Sequence, residues 1–354
     1  MKFSISKSSL ENILGHIQPF LDKKDSSQIT SHIYLETQGD EVLFKATDYE
    51  IGIETKVKVT KELDGAATVN GKKILEAIRA LKDAEITLET DSQNLIIQQG
   101  TYKSSLPMFD TNAFPQNLPN QDQKQIKIDT TTLIQSLKKI SPAIDQNNQK
   151  ISLTGALLEL KDYCFNFVST DTRRLAIIKK EVQSLESFSL IIPKRAIAEI
   201  IKLFKDGDVE IFYSETQLTI KNDYRTFFTK LINDKFPDYE KIIPKEFKFK
   251  LELPKDEIIS CIKRVSSLSP KFKMTFKPNE ILFETMSIEA GSAKDKMEFA
   301  TGVSEEFSIG IDAKYMTDFL GEAESSKFEI CINETNAPFV VRDNKFSTII
   351  LPVI

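Results

Sequence analysis

The chain repeats itself, and the repeat limits its fold more than any single motif does. Val69–Leu81, Ile192–Phe204 and Ile311–Leu320 share one pattern: a strand-like apolar residue, a cap or first-turn residue (Asn70, Pro193, Asp312), then apolar positions at helical spacing. Their starts lie 123 and 119 residues apart. A second set lies upstream in Phe3–Leu14, Ile126–Leu137 and Leu251–Ile262, where Leu10, Leu133 and Ile258 are separated by 123 and 125 residues. Each downstream helix is followed by an alternating run (Glu85–Glu89, Val209–Tyr213, Phe328–Ile332). Further runs such as Leu95–Ile97 and Gln217–Ile220 come after short polar turns. Each unit therefore reads strand, helix, several antiparallel strands, second helix, several more strands. Proline- and polar-rich joints at Phe114–Gln121 and Phe236–Lys245 place the boundaries near 121 and 247, giving units 1–121, 122–247 and 248–354. Both helices of a unit must bury an apolar stripe, and a curved antiparallel sheet is the surface available to receive them. The expected fold class is α+β, with the helices together on one face.

Several chemistries lack their parts. The only histidines are His16 and His32, and Cys164, Cys261 and Cys331 are an odd number lying far apart inside apolar stretches. A disulfide framework and a zinc site are not expected, and neither is a nucleophilic triad. The nucleotide cradles GxGxxG and GxxxxGK[ST] are missing. No cofactor, metal or catalytic residue is expected. The start alternates apolar and polar residues instead of showing a signal peptide, and no apolar run reaches membrane-spanning length, so a cytosolic protein is expected.

The polar faces of the helices are more informative. With Ile74, Ala77, Ile78 and Leu81 turned to the sheet, Lys72, Glu76 and Arg79 lie on the opposite side, and Arg195, Glu199 and Lys202 hold the same register in the second unit. Lys72, Lys73, Arg79 and Lys82 stand against Glu76 alone, and Lys194, Arg195, Lys202 and Lys205 against Glu199 alone, in a chain of net charge −5. Lys138, Lys139, Lys263 and Arg264 add cations at the ends of the first-type helices. Taken singly, each helix reads as an ordinary solvated face with i,i+4 pairs. Recurrence in register reads instead as the footprint of phosphate-backbone binding. The third unit departs from the pattern, because Lys314 is followed by Asp318, Glu322 and Glu324.

Met1–Phe3, Ala46–Glu50, Thr170–Ala176, Phe236–Tyr239 and Ile350–Ile354, in this order and at these spacings, make the whole chain resemble the bacterial sliding clamp, the beta subunit of DNA polymerase III. That resemblance implies three clamp-type domains and a head-to-tail homodimer closing a ring around double-stranded DNA without sequence specificity. It also implies docking of the polymerase III catalytic subunit, the clamp loader, repair polymerases and mismatch-repair proteins. It further implies DNA-facing Lys23, Lys24, Lys72, Arg79, Lys138, Lys139, Lys150, Arg195, Lys202, Lys263, Arg264 and Lys314. A partner-peptide pocket between the second and third domains maps to Leu153, Thr170, Thr172, Arg174, Leu175, Pro237, Lys241, Ile242, Pro338, Ile349, Ile350, Leu351, Pro352 and Val353, with Arg174 orienting the peptide's polar end. The dimer interface maps to Lys73, Leu106 and Leu268. The family commonly has Gly-His where this chain has Thr172-Arg173, and this sequence stops at Ile354 without the frequent terminal Arg-Leu.

Two other readings stay open on the residues alone. One is a hydrolase built on carboxylates such as Asp48 and Asp171, which occupy matching repeat positions. The other is a non-catalytic interaction scaffold without nucleic acid.

Overall fold

The computed structural model describes residues 1–22, 28–115, 124–126, 128–182, 187–205, 207–286 and 291–353. Among these residues six α-helices recur in the order that the repeat predicts: α1 (Lys7–Ile17), α2 (Gly71–Arg79), α3 (Thr130–Ile140), α4 (Lys194–Leu203), α5 (Lys255–Ser266) and α6 (Ala313–Glu322). Local chemistry fixes their starts. The side chains of Ser6, Asn70 and Asp312 accept from the backbone N–H groups of Ser9, Lys73 and Lys314, satisfying donors that a first turn leaves free. Each helix then buries one stripe, as Ile74, Leu75 and Ile78 do in α2 and Ile258, Cys261, Ile262 and Val265 do in α5.

Compactness divides the chain differently from repetition. One body comprises Met1–Thr132 with Ala198–Leu231, the other Leu133–Ile197 with Ile232–Ile354. The first body holds a five-stranded sheet, in the order Thr60–Leu63, Lys2–Ser6, Glu85–Thr90, Asn94–Gln99, Tyr102–Pro107. It also holds an eight-stranded sheet running Lys124–Ile126, Glu210–Tyr213, Gln217–Lys221, Arg225–Lys230, Ile51–Lys58, Glu41–Thr47, His32–Gln38, Ala66–Asn70. The second body has its own eight-stranded sheet, Phe188–Pro193, Gly155–Lys161, Cys164–Thr170, Arg174–Glu181, Phe346–Ile350, Phe339–Asp343, Lys327–Ile332, Phe249–Pro254. Its four-stranded sheet runs Lys294–Glu298, Glu280–Thr285, Lys271–Lys277, Phe307–Asp312.

The sequence reading gives each unit its own sheet, and the structure instead joins the middle strands of one unit to the end strands of the next. At the first joint Phe227 faces Ile53 and Phe228 faces Gly52; at the second, Leu175 faces Ile349 and Ala176 faces Thr348. A joint of this kind hides two strand edges that would otherwise expose unpaired backbone. Leu175, Ala176, Ile177 and Ile178 are all buried because the second joint is covered on both faces. Phe346 packs against Phe319 of α6 on one face, while Leu175, Ile177, Val340 and Ile349 pack against Phe236 and Tyr239 on the other.

Candidate functional site

That second face carries an apolar pocket of about 590 Å³, lined among others by Leu153, Thr170, Thr172, Arg174, Leu175, Pro237, Lys241, Ile242, Pro338, Ile349 and Leu351. Its floor is the sheet, where Leu175 and Ile349 are direct cross-strand partners above a buried aliphatic cluster. One wall is the chain from Pro237 to Pro244, held down by Tyr239, whose hydroxyl donates to Glu159 Oε2 at 2.7 Å. Burial, then that carboxylate, pushes the Tyr239 hydroxyl's pKa up, so it stays a donor. Exposed Ile242 and Leu351 leave apolar surface at the mouth.

Eleven of the fourteen residues assigned to the pocket by resemblance line it, and three do not. Ile350, paired with Arg174 and Phe339, lies on the opposite face of its strand and is fully buried. Pro352 and Val353 run past the cavity, and Val353 N–H donates to Gly310 O at 2.9 Å, where a Cβ on residue 310 would overlap the Val353 carbonyl. Arg173, Ile243, Pro244, Asn333 and Ala337 also line the pocket. The proline-rich joint was the signal that could have found Pro244 and Ile243.

Arg174 needs a second correction. Its guanidinium points to the helix face, donating to Asp171 Oδ2 (3.1 Å), Asp318 Oδ2 (2.7 Å) and Pro142 O (2.6 Å), and it lies over the Tyr315 ring. A side chain only 3% exposed and committed to three acceptors positions the strand and turn; it has little to offer a peptide. The turn itself repeats. Thr170 Oγ1 donates to Arg174 O and Asp171 Oδ1 accepts from the N–H groups of Arg173 and Arg174, while Thr47 and Asp48 do the same for Ile51 and for Glu50 and Ile51. Tyr49 and Thr172 both take positive φ there (72° and 73°). Asp48 and Asp171 are thus turn-capping residues, which removes the basis for a hydrolytic pair. Among the described residues no group of His, Cys, Asp or Glu is arranged to hold a metal ion.

The basic positions are mostly tempered by acids. Arg79 pairs with Glu11, Lys138 with Glu322, Lys139 with Glu324, Lys202 with Glu199, Arg264 with Asp295 and Lys314 with Asp318, while Lys72 is 4.0 Å from Glu76. Lys139 is half-buried, over the Phe346 ring, and is the least open of the set. Lys150, Arg195 and Lys263 are exposed; Lys23 and Lys24 lie outside the described residues. Lys73 is exposed on α2, half-buried Leu106 sits in the edge strand Tyr102–Pro107, and Leu268 is exposed after α5.

Comparison with known proteins agrees along the whole chain. Sequence models of the DNA polymerase III beta subunit match its N-terminal domain at residues 1–119, its central domain at 127–238 and its C-terminal domain at 240–353. The beta sliding clamp of Helicobacter pylori is 38% identical with all of both chains covered, and that of Chlamydia pneumoniae 28% identical with 97% of this chain and 96% of the relative covered. The crystal structure of the Helicobacter pylori beta clamp bound to a DNA ligase peptide superposes with a TM-score of 0.95 at 38% identity over 100% of each chain. The chain therefore belongs to the DNA polymerase III beta subunit family and acts as a sliding clamp, a processivity factor of DNA replication and not an enzyme.

Proposed function

We propose that two copies close head to tail into a ring around duplex DNA, in the cytoplasm, and that the apolar pocket docks short peptide segments of the polymerase III catalytic subunit, the clamp loader and repair proteins. The observation that carries the ring is an imbalance in the joints. In both eight-stranded sheets, the last strand of one unit pairs with the third middle strand of the unit before it. Only Tyr102–Pro107 and Lys294–Glu298, the matching strands at the two ends of the series, lack such a partner among the described residues. Pairing them between copies is a heterologous contact that closes instead of propagating.

The register of the two joints, carried onto these edges, sets Ser104 opposite Ala293 and Leu106 opposite Gly291. A Cβ on Gly291 would lie 3.5 Å from Leu268 Cδ1, so this register brings Leu106 and Leu268 together across the seam. The proposed domain limits remain 1–121, 122–247 and 248–354. The pocket reading is supported by the DNA ligase peptide bound to the Helicobacter pylori clamp. Acid-tempered cations on the proposed DNA face suit a protein held by topology, since each bare phosphate contact would add affinity and slow sliding.

The test is retention. Clamp loaded on a nicked circle should survive salt that strips simple binders, and should run off when the circle is linearised. Equal retention on both forms would refute encirclement. Leu106→Glu and Leu268→Glu, each placing a charge in an apolar seam, should sediment as folded monomers; dimers of both at low micromolar concentration would show that the seam lies elsewhere.

A further inference from the structure

A second concave site lies within the first body, at the end of its joint remote from the Thr47–Ile51 turn. A cleft of about 750 Å³ is lined by one side of α1, the end of α4, residues 55–57 of Ile51–Lys58, and the turn leading into Arg225–Lys230. That volume falls in the range of about 300–1,000 Å³ usual for small-ligand clefts. Its lining is polar: Lys56, Lys202, Lys205 and Arg225 are cationic, and among the described residues of the lining none is a carboxylate, although the chain as a whole carries net charge −5. Concave walls with charge of one sign concentrate the field where an anion would sit.

His16 reports that field. Burial, then the charges of Arg225, Lys202 and Lys205, hold its imidazole's pKa below the usual value, and its buried Nδ1 has no hydrogen-bond partner. On α4, Glu199 is engaged by Lys202 at 3.6 Å and lies outside the lining, as does exposed Asp223 in the turn before Arg225. On the strand side, Glu54 is turned to Lys45 at 3.0 Å; on its own helix, Glu11 is held by Lys7. Arg225 is oriented by a bond from Nη1 to Leu203 O, the last carbonyl of α4, which leaves the rest of its fork available.

We propose that this cleft binds a phosphate-bearing anion the size of a di- or triphosphate or of a few successive phosphodiesters of a nucleic-acid strand. The four cations would meet the oxyanions, and His16 would take up a proton as the anion replaces the repulsion now felt from its neighbours. Lys202 is the one residue shared with the proposed DNA-facing set. All the lining belongs to one compact body, so the site does not depend on ring closure.

A chain with two histidines allows a direct reading. Imidazole C–H resonances are followed by NMR through a pH titration, at fixed ionic strength, with sodium tripolyphosphate, a single-stranded oligonucleotide or a duplex added in turn. His32, buried and stacked on Phe109 with its pKa lowered to about 4, is the internal control. An upward shift of the His16 midpoint with tripolyphosphate marks a free phosphate compound as sufficient; a shift with an oligonucleotide alone marks the strand backbone as the source. In either case Lys56→Gln with Lys205→Gln should weaken binding about tenfold, while His32 stays unmoved. A His16 midpoint that none of the three additions moves, or an affinity indifferent to the two substitutions, overturns the proposal. Because the Leu106→Glu variant should keep this site, failure here and failure of the ring are separately visible.

Discussion

At the first joint Gly52 sits opposite Phe228, and at the second the same two positions hold Leu175 and Ile349. Backbone pairing is alike in both, yet the outcomes differ. Phe228 lies so close over Gly52 that a Cβ there would overlap its ring, so one large side chain covers the place of two. Leu175 and Ile349 divide that volume into two aliphatic groups and floor the apolar pocket. The turns beside the joints diverge in the same manner: buried Ile51 corresponds to Arg174, and Glu50, paired with Lys230, corresponds to exposed Arg173. One architecture thus carries two surfaces, and the difference lies in a handful of side chains at matched positions.

The comparison breaks most visibly if the pairs are exchanged. Gly52→Leu should cost about 3 kcal/mol through overpacking against Phe228, and adding Phe228→Ile should recover a large part of it. Urea denaturation of the two singles and the double reads the coupling. Additive losses would mean that the two positions do not share the volume as described.

Much of this was legible in the sequence because periodicity registers local burial. The six helices, their caps at Asn70 and Asp312, and runs such as Glu85–Glu89 follow from spacing alone. The joints were not legible. Thr55 and Arg225, which pair at the first joint, are far apart in the chain, and nothing in either strand says whether its free edge meets a neighbour or solvent. Ile350, assigned to the pocket by resemblance, could not be checked from the residues either: a run of apolar residues at a strand end gives no parity until the pairing is known, and that pairing turns Ile349 and Ile350 to opposite faces. Arg174 was misjudged for a related reason. A basic residue beside a pocket looks like a ligand contact until its partners Asp171, Asp318 and Pro142 O are seen.

A smaller effect isolates that network. Asp318 Oδ2 is shared, at 2.7 Å from Arg174 Nη1 and 2.7 Å from Lys314 Nζ. Asp318→Ala leaves a buried guanidinium short of one anion and should cost about 2 kcal/mol, whereas Lys314→Ala removes an exposed partner and should stay within about 0.5 kcal/mol. Thermal melts of both variants give the contrast. Equal losses would show that the helix, and not the buried cation, sets the energy.

The smallest effect concerns the rim. Arg173 is held by its backbone, its N–H donating to Asp171 Oδ1 and its carbonyl accepting from Leu351 N–H at 2.9 Å, so its side chain can be changed without disturbing the turn. An exposed charge at the mouth of an apolar pocket contributes about 0.2–1 kcal/mol to an ion pair, enough for a preference of about 2- to 5-fold between peptides that differ in one carboxylate. Fluorescence titration with an apolar pentapeptide, with and without an acidic residue, should show the acidic form bound more tightly by the unsubstituted protein. Arg173→Glu should reverse that order with no change in melting temperature, and added salt should shrink both preferences. If the order survives the substitution, the rim charge felt by a peptide comes from Lys241, the other exposed cation of the lining, whose pairing with Asp238 at 2.8 Å would then have to open on binding.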